Sequence, residues 1–333
     1  MTRRYAPSLF FVPAFLLVCI AGSANTLAQT GPELLLAPFP KELKLDANAY
    51  VGFRDTGHDK ATDADFRLDI FETQGRFRLN PGDVASPRIG YSFSYLNIDS
   101  SIAGMPEHLV NQSIGFAMPI AQQDGWIVGF SVAAGYAGDS FFGDGDAFYG
   151  KAAIGVFKQL SPTDTIAIAI DYNGNRTFRP DLPLPGFAYI KRVDERLLLT
   201  LGIPVTSIEW QPIDKLRVQF GYLLVDNVTA RVGYEVFSGF EVFGLAAQRS
   251  GAFFLDGLDG NKERLLLQER NAEIGVTYHR KSSHIDEPDI ELTAAIGYSW
   301  NTEFSTGWDQ SDSELLADVS DEPYIRFALD VRF

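Results

Sequence analysis

The chain of 333 residues contains one cysteine, Cys19, so no disulfide can form within it. Four histidines and one cysteine are too few for the usual zinc-binding clusters. Lys and Arg number 28 against 43 Asp and Glu, and the formal net charge of −15 excludes the basic surface that nucleic-acid binding requires. We therefore predict no metal centre, no cofactor and no nucleic-acid partner.

A long apolar run occurs only near the beginning of the chain. Arg3 and Arg4 precede an apolar segment from Leu9 to Ile20, and the small residues of the Thr26-Leu27-Ala28 stretch follow it. This order is typical of a secretory signal peptide that is cleaved near residue 28. A membrane anchor is the less favoured alternative, because a spanning helix needs about 20 apolar residues and Pro13 interrupts this run.

The rest of the chain is dominated by alternation of apolar and polar residues. The clearest examples are 216–222, 228–236 and 290–300, where apolar side chains recur at every second position. A period of two predicts β-strands with unlike faces. Runs of about 9–11 residues are long enough to span a membrane, whereas strands of soluble proteins cluster near 5–6 residues.

Turns and loops provide a second regularity. The tight turns Asn80–Asp83, Ser161–Asp164 and Gln211–Asp214 share a polar-Pro-x-Asp form, whereas longer irregular segments fill other gaps. Short turns at one end and long loops at the other are typical of bacterial outer-membrane barrels. The predicted outer loops are 97–107, 139–146, 173–195, 249–263 and 301–321.

The sequence predicts an all-β fold: a single antiparallel transmembrane β-barrel of about 14 strands, with 12 as the alternative. Short turns would face the periplasm and long loops the outside. The predicted domains are a signal peptide at 1–28, a periplasmic N-terminal segment at 29–41 and the barrel at 42–333. A soluble secreted β-sandwich is the alternative fold. The strands are placed near 42–53, 64–79, 87–97, 109–120, 125–138, 147–159, 164–173, 195–210, 214–224, 228–236, 239–248, 265–280, 288–300 and 321–333.

The last nine residues, Ile325 to Phe333, place apolar residues at every second position and end on phenylalanine. This stretch resembles the C-terminal strand that the barrel-assembly machinery recognises in outer-membrane proteins. The resemblance implies an outer-membrane location, with Phe333 as an assembly signal. The stretch from Leu184-Pro185-Gly186-Phe187 through Leu201-Gly202-Ile203-Pro204 to Trp210-Gln211-Pro212 is similar to an uncharacterised family of predicted bacterial outer-membrane β-barrel proteins. That resemblance implies fold and location but no activity.

Charged residues on the strands are expected to face the lumen, because an Arg or Lys facing lipid at the midplane costs about 2–4 kcal/mol. Hairpin geometry predicts Arg217 opposite Gly233 and close to Glu235, and His279 opposite Glu291. Whether these charges brace the barrel or select a solute is left open by the sequence. The predicted lumen-lining residues are Arg217, Arg231, Glu235, Glu269, Glu273, Glu291, Arg326 and Asp330.

These features predict a passive, porin-like channel or transport protein with a mixed-charge lumen. The alternatives are a surface structural or adhesive barrel and an outer-membrane lipid-modifying enzyme. We predict no enzymatic activity, because no G-x-S-x-G motif is present and none of His58, His108, His279 and His284 has a convincing serine and carboxylate setting. The expected partners are outer-membrane lipid, the barrel-assembly machinery and small solutes or cations.

Two features bear on whether the lumen is open and whether ions bind. The segment 173–195, rich in proline and aromatic residues, is long enough to fold inward and plug the lumen. Acidic residues near 139–146 and 256–263 suggest calcium, but their spacing does not match an EF-hand, so a solvated loop is the favoured interpretation.

Overall fold

The computed structural model describes residues 30–36, 39, 43–83, 85–223, 227–256, 263–280 and 287–333. The predicted signal peptide at 1–28, His284 and most of the acidic 256–263 segment lie outside these residues. Within the described ranges, no helix is long and apolar enough to cross a membrane.

The described chain consists almost entirely of strands, with one short helix, α1, at Glu33–Leu36. The alternating runs found in the sequence form long strands because each side chain alternates between two faces of the sheet. The strands are β1 Leu45–Arg54, β2 Gly57–His58, β3 Asp65–Arg78, β4 Arg88–Ser100, β5 His108–Gln123, β6 Trp126–Gly138, β7 Phe148–Gln159, β8 Asp164–Asn173, β9 Leu184–Arg192, β10 Leu197–Ile203, β11 Val205–Ile213, β12 Leu216–Leu223, β13 Asn227–Phe237, β14 Phe240–Phe253, β15 Arg264–Arg280, β16 Asp289–Gly307, β17 Glu314–Val319 and β18 Glu322–Arg332.

Sixteen of these strands close into an antiparallel barrel. The strands β3 to β16 pair in sequence order, β16 pairs with β18, and β1 closes the ring by pairing with both β18 and β3. The two extra strands, β2 and β17, lie alongside β3 and β16 and are joined to each other by the Asp59–Val319 bridge. The predicted all-β antiparallel barrel is confirmed at this level.

The predicted count of about 14 strands is wrong, and both missing strands come from one region. The segment 173–195, predicted as an outer loop or plug, contains the wall strand β9. The predicted strand 195–210 is two strands, β10 and β11, which separate at Pro204. Pro185 and Gly186 weaken the alternation of β9, and proline lacks the N–H needed to continue a ladder at residue 204.

The two ends of the barrel differ in their connections. We call the end that contains Leu45 and Arg332 the terminal rim, and the opposite end the distal rim. The three polar-Pro-x-Asp turns all lie at the terminal rim, as the sequence predicts. The longer distal connections include 101–107, 139–147, 174–183 and 308–313. Three of them are shorter than predicted, because β4 extends to Ser100, β9 begins at Leu184 and β16 extends to Gly307. The predicted loop 249–263 is also shortened, because β14 extends to Phe253.

The outer face of the barrel is apolar. Large hydrophobic side chains on this face are exposed, and along β18 they alternate with polar residues that point inward. Such a surface is unfavourable in water, and it matches the lipid-facing band of a transmembrane barrel. Members of this outer belt include Phe53, Phe71, Ile114, Val132, Ile154, Ile168, Phe187, Leu201, Trp210, Phe220, Val232, Val242, Ile274, Leu292, Ile296, Ile325, Phe327 and Leu329.

The wall of the barrel is uneven in height. The strands β9 to β12 contain seven to nine residues, whereas β14 to β16 contain 14, 17 and 19. We call the part formed by β9–β12 the low side, and the part formed by β14–β18, β1 and β3 the tall side. The difference leaves the distal mouth lower along β9–β12.

The distal part of the lumen is bridged and partly filled. β6 and β14 are the fifth and thirteenth of the sixteen wall strands and are therefore opposite each other. A parallel bridge nevertheless joins Gly138, the last residue of β6, to Phe254, which follows β14. The Phe254 N–H donates to the Ala137 carbonyl over 3.0 Å. Inward-facing apolar residues fill the space beside this bridge, and the buried cluster includes Phe66, Leu68, Leu96, Ile98, Leu109, Phe253, Leu265, Leu267, Phe304 and Val319.

Candidate functional site: the barrel lumen

A buried ion-pair network crosses the lumen on the tall side. Arg54 on β1 pairs with Glu269 on β15, and the two side chains are only 5% and 3% exposed. Arg54 also donates to Ser299 Oγ over 3.2 Å, and Arg249 Nε lies 3.6 Å from Glu269 Oε1. Arg249 additionally donates to the Tyr50 hydroxyl. This network ties together strands that are not all neighbours, so it braces the barrel across its interior.

A second inward pair joins β15 and β18, which are separated by β16. Arg326 on β18 donates through Nε to Glu273 Oε2 over 2.9 Å, and its Nη2 contacts the other carboxylate oxygen. The Tyr324 hydroxyl donates to Glu273 Oε2 over 3.1 Å. A planar guanidinium that binds both oxygens of one carboxylate fixes the orientation of both groups.

Closer to the terminal rim, Glu241 on β14 contacts two arginines. Arg231 Nη2 donates to Glu241 Oε1 over 2.8 Å, and Arg217 Nη1 lies 3.6 Å from Oε2. Arg217 faces Gly233, which confirms the predicted register, but its ion pair is with Glu241 rather than with Glu235. Glu235 instead accepts from the Gly239 N–H in the next turn.

His279 lies between two carboxylates at the same level. Its Nδ1 is 3.5 Å from Glu291 Oε2, and its Nε2 is 3.9 Å from Glu241 Oε2. The predicted facing of His279 and Glu291 across β15 and β16 is confirmed by the register. Glu291 also accepts from Arg332 Nη1 over 3.1 Å, and Asp330 is its cross-strand neighbour on β18.

All eight predicted lumen residues lie on the inward-facing register. A role of these residues in solute binding stays a prediction. Six of them take part in ion pairs, with one another or with other residues: Arg217, Arg231, Glu269, Glu273, Glu291 and Arg326. Sequence reasoning missed Arg54, Glu241 and Arg249. Arg54 is in phase with Tyr50 and Gly52 on an inward face, so the alternation of β1 contains the signal that identifies it.

The low side of the lumen is built differently. On β9 to β12 every inward-facing side chain or glycine is partly exposed rather than buried. Many of these residues are small, and a Cβ atom added at Gly221 would meet no atom within 4 Å. The inward charges there are Arg192, Glu209 and Arg217, which are of mixed sign. The small inward residues are Gly186, Ala188, Thr200, Gly202, Ser207 and Gly221.

Residues 30–36 lie inside the barrel against β5, β6 and β7. Thr30 Oγ1 is 2.7 Å from Ser113 Oγ, and Lys151 Nζ donates to Thr30 Oγ1 over 3.1 Å. A Cβ at Gly115 would lie 2.5 Å from the Thr30 carbonyl oxygen, so glycine permits the close approach of the two backbones. Leu34 is completely buried. The segment therefore narrows the lumen along the wall from β5 to β7.

Phe39 continues this internal segment among three arginines. The guanidinium carbons of Arg76 and Arg78 lie 4.5 and 4.8 Å from the centre of its ring, and that of Arg88 lies 5.9 Å away. Arg78 donates to the Phe39 carbonyl, and Arg88 donates to the Leu34 carbonyl. These contacts fasten the segment near the terminal rim.

At the distal rim, Arg264 fastens two loops together. Its guanidinium donates to the carbonyls of Trp308 and Arg176 and to Asn175 Oδ1, and it stacks on the Trp308 ring at 4.9 Å. The Gln310 N–H donates to the Thr177 carbonyl over 3.0 Å. The loops 174–183 and 308–313 thus form a joined cover over part of the distal mouth.

An aromatic cavity of about 240 Å³ lies beside this cover. Two glycines, Gly150 and Gly174, leave room for it, and one carboxylate, Asp146, stands at its edge. The aromatic lining residues are Phe148, Tyr149, Tyr172, Phe254 and Trp308.

Two carboxylates in the distal loops have lowered pKa values. The Thr62 hydroxyl and backbone N–H donate to Asp59, and these hydrogen bonds lower the pKa of its carboxyl. Burial alone would raise the pKa of Asp309, but hydrogen bonds from the side chain and backbone of Ser311 outweigh it and the pKa is lowered. Asp309 also accepts from the Arg179 N–H over 3.4 Å.

His58 and His108 both make local contacts near the distal rim. The His58 N–H donates to Ser320 Oγ, and His108 stacks on Tyr95 with ring centres 5.9 Å apart. Within the described ranges no group of three or more His, Cys, Asp or Glu side chains could hold a metal ion.

No family model matches the chain, and no curated protein matches it by sequence. Among solved structures, the chain is similar to a TodX deltaS2S3 mutant monoaromatic hydrocarbon channel, at 10% identity over 91% of this chain and 92% of that chain, with a TM-score of 0.42. A Pseudomonas aeruginosa FadL homologue is similar at 12% identity over 87% and 90%, with a TM-score of 0.38. The Pseudomonas putida toluene transporter TodX is similar at 9% identity over 91% and 92%, with a TM-score of 0.37.

Similarities this distant carry no assignment, so the class of the protein rests on its own strand pairing and surface. A closed antiparallel barrel of sixteen strands with an apolar outer face and a charged interior has the architecture of a membrane-spanning β-barrel. The resemblance to an uncharacterised barrel family stays a prediction.

Proposed function

We propose that this protein is an outer-membrane channel that passes small solutes along the low side of its lumen. The observation that carries the proposal is the contrast between the two sides of the interior. Inward residues of β9–β12 are partly exposed and often small, whereas those of β14–β18, β1 and β3 are mostly buried in ion pairs and apolar contacts. Water and solute therefore have space beside β9–β12.

The same geometry argues against a wide, unobstructed porin. The β6–β14 bridge and the distal apolar cluster close one part of the cross-section, and residues 30–36 narrow another. The tall-side ion pairs serve as braces in this proposal, which is one of the two alternatives left open by the sequence. Arg192 and Glu209, both partly exposed and of opposite sign, would give the passage weak charge selectivity.

The proposed location is the outer membrane, with the terminal rim in the periplasm. The apolar outer belt supports membrane insertion, and the short turns at the terminal rim match the periplasmic turns of such barrels. The exposed Ile325, Phe327 and Leu329 lie on the outer face of β18, as an assembly strand that ends on Phe333 would place them. Outer-membrane lipid and the assembly machinery are therefore the proposed partners, and no catalytic role is proposed.

Replacing Gly221 with tryptophan tests the proposed path. The new side chain would enter open space on the inner face of β12, so it is expected to obstruct the passage without disturbing the wall. We expect a clear decrease in single-channel conductance for the purified protein in planar bilayers, with the heat-modifiable gel mobility of a folded barrel retained.

Gly244→Trp is the matched control. Gly244 also has no atom within 4 Å of an added Cβ, but it faces outward between Val232 and Ile274. Its conductance should equal that of the unmodified protein. Equal conductance in all three proteins, or no conductance steps in any salt, would refute the proposed function.

A further inference from the structure

The loop 139–147, between β6 and β7, places a phenylalanine on the outside of the barrel. Phe141 is 54% exposed, and its ring stacks on Tyr95 with centres 6.0 Å apart and planes inclined by 15°. It also stacks on His108 at 6.4 Å. Tyr95 lies on the same outer face of β4 as Tyr91. The loop therefore folds down onto the outer wall rather than over the lumen.

The neighbouring Phe142 makes an equivalent contact on the next strands. Its ring lies 5.2 Å from that of Tyr136 and 6.0 Å from that of Phe148, and it remains 61% exposed. Tyr136 and Phe148 face each other across β6 and β7 on the face that carries Val132 and Ile154. The two phenylalanines thus extend the outer apolar belt towards the distal rim.

The backbone at Phe142 is strained to hold this arrangement. Its φ of +58° lies in the left-handed region, which bulky residues avoid. Such strain persists where surrounding contacts impose it, and it often marks a functional position. Here Ser140 Oγ lies 3.2 Å from Tyr136 Oη, and the Asp144 N–H donates to the same hydroxyl over 3.4 Å.

We propose that the loop 139–147 is a lipid anchor whose Phe141 and Phe142 insert into the outer leaflet at the distal rim. Continuity with the apolar belt favours lipid over a second copy of the chain, because the same surface already faces acyl chains around the barrel. Asp139 and Asp144 flank the rings and stay at the water boundary. Aromatic side chains suit this interface, since one part of the region is apolar and the other hydrated. The inference rests on the proposed membrane location.

Nitroxide labelling tests the anchor. Single-cysteine variants Phe142→Cys, Ile154→Cys and Ala103→Cys are made in a Cys19→Ala background, which contains no other cysteine. Each is labelled in liposomes of phosphatidylcholine and phosphatidylglycerol, and its collisions with oxygen and with a water-soluble nickel chelate are measured. Ile154 reports on the belt, and Ala103 reports on an exposed distal loop that packs inward through Ile102 and Met105.

We expect the probe at residue 142 to resemble the one at residue 154, with oxygen access high and nickel access low. The probe at residue 103 should show the reverse. Nickel access at 142 as high as at 103 would refute the anchor, and low access to both reagents would indicate protein contact instead. If the probe at 154 is also open to nickel, the membrane location itself fails. Heat-modifiable gel mobility confirms that each variant is folded.

Discussion

Glu269 is the central carboxylate of the ion-pair network that braces the tall side of the lumen. It is buried, and it lies between Arg54 and Arg249 from two different strands. Removing two charges from water is costly, so a buried pair adds little compared with an apolar replacement, but a lone buried charge is strongly destabilising. The tall-side network is therefore intolerant of single changes.

Glu269→Ala should lower the free energy of unfolding by about 3–5 kcal/mol, because it leaves the buried Arg54 without its carboxylate and removes one partner of the partly exposed Arg249. Urea unfolding in detergent micelles, followed by tryptophan fluorescence, measures the change. Asp318→Ala is the control, since its pair with Lys60 is partly exposed and its loss should cost about 0–1 kcal/mol. Equal losses in the two variants would contradict the bracing role.

At the scale of elements, the distal loops differ in where they pack. The loop 139–147 packs outside the wall, whereas 174–183 and 308–313 join across the distal mouth through Arg264. Asp309 organises the second of these loops by accepting from Ser311 and Arg179. The cover therefore depends on a carboxylate that must remain ionised.

The lowered pKa of Asp309 predicts that acid loosens this cover. A carboxyl with a depressed folded pKa contributes stability that is present above the ordinary aspartate pKa of about 3.9 and is lost as the pH falls through the folded value. Hydrogen exchange of residues 309–312, corrected for intrinsic rates, should show protection at neutral pH that declines below about pH 4. Asp309→Asn should show weaker protection with little pH dependence. A decline of equal size in that variant would assign the effect to another group.

The elements also show how far the sequence can predict this fold. Strong alternation in β12, β13 and β16 identifies these strands, and the polar-Pro-x-Asp turns give the correct rim. β9 was missed because Pro185 and Gly186 interrupt its pattern. β10 and β11 merged into one predicted strand because Leu197 to Leu199 is a continuous apolar run and the break comes only at Pro204. The predicted count of 14 and the observed count of 16 are both even, because the prediction lacks two strands.

At the scale of the whole molecule, alternation predicts which side chains point inward but not how the interior is filled. The inward register of Glu273 and Arg326 follows from period two, whereas the β6–β14 bridge depends on contacts between distant segments. The position of residues 30–36 inside the barrel also has no periodic signal in the sequence. The difference between the low side and the tall side depends on the lengths of all sixteen wall strands, so it cannot be read from any one strand.

The central claim is that solute passes along β9–β12 and not through the packed tall side. Cysteine modification during current recording tests it most directly, with Ser207→Cys on the low side and Thr293→Cys on the tall side in a Cys19→Ala background. Both positions face inward, but Ser207 is partly exposed and Thr293 is buried. A cationic methanethiosulfonate reagent should reduce the current of Ser207→Cys and leave that of Thr293→Cys unchanged. Block at residue 293 without block at residue 207 would contradict the account.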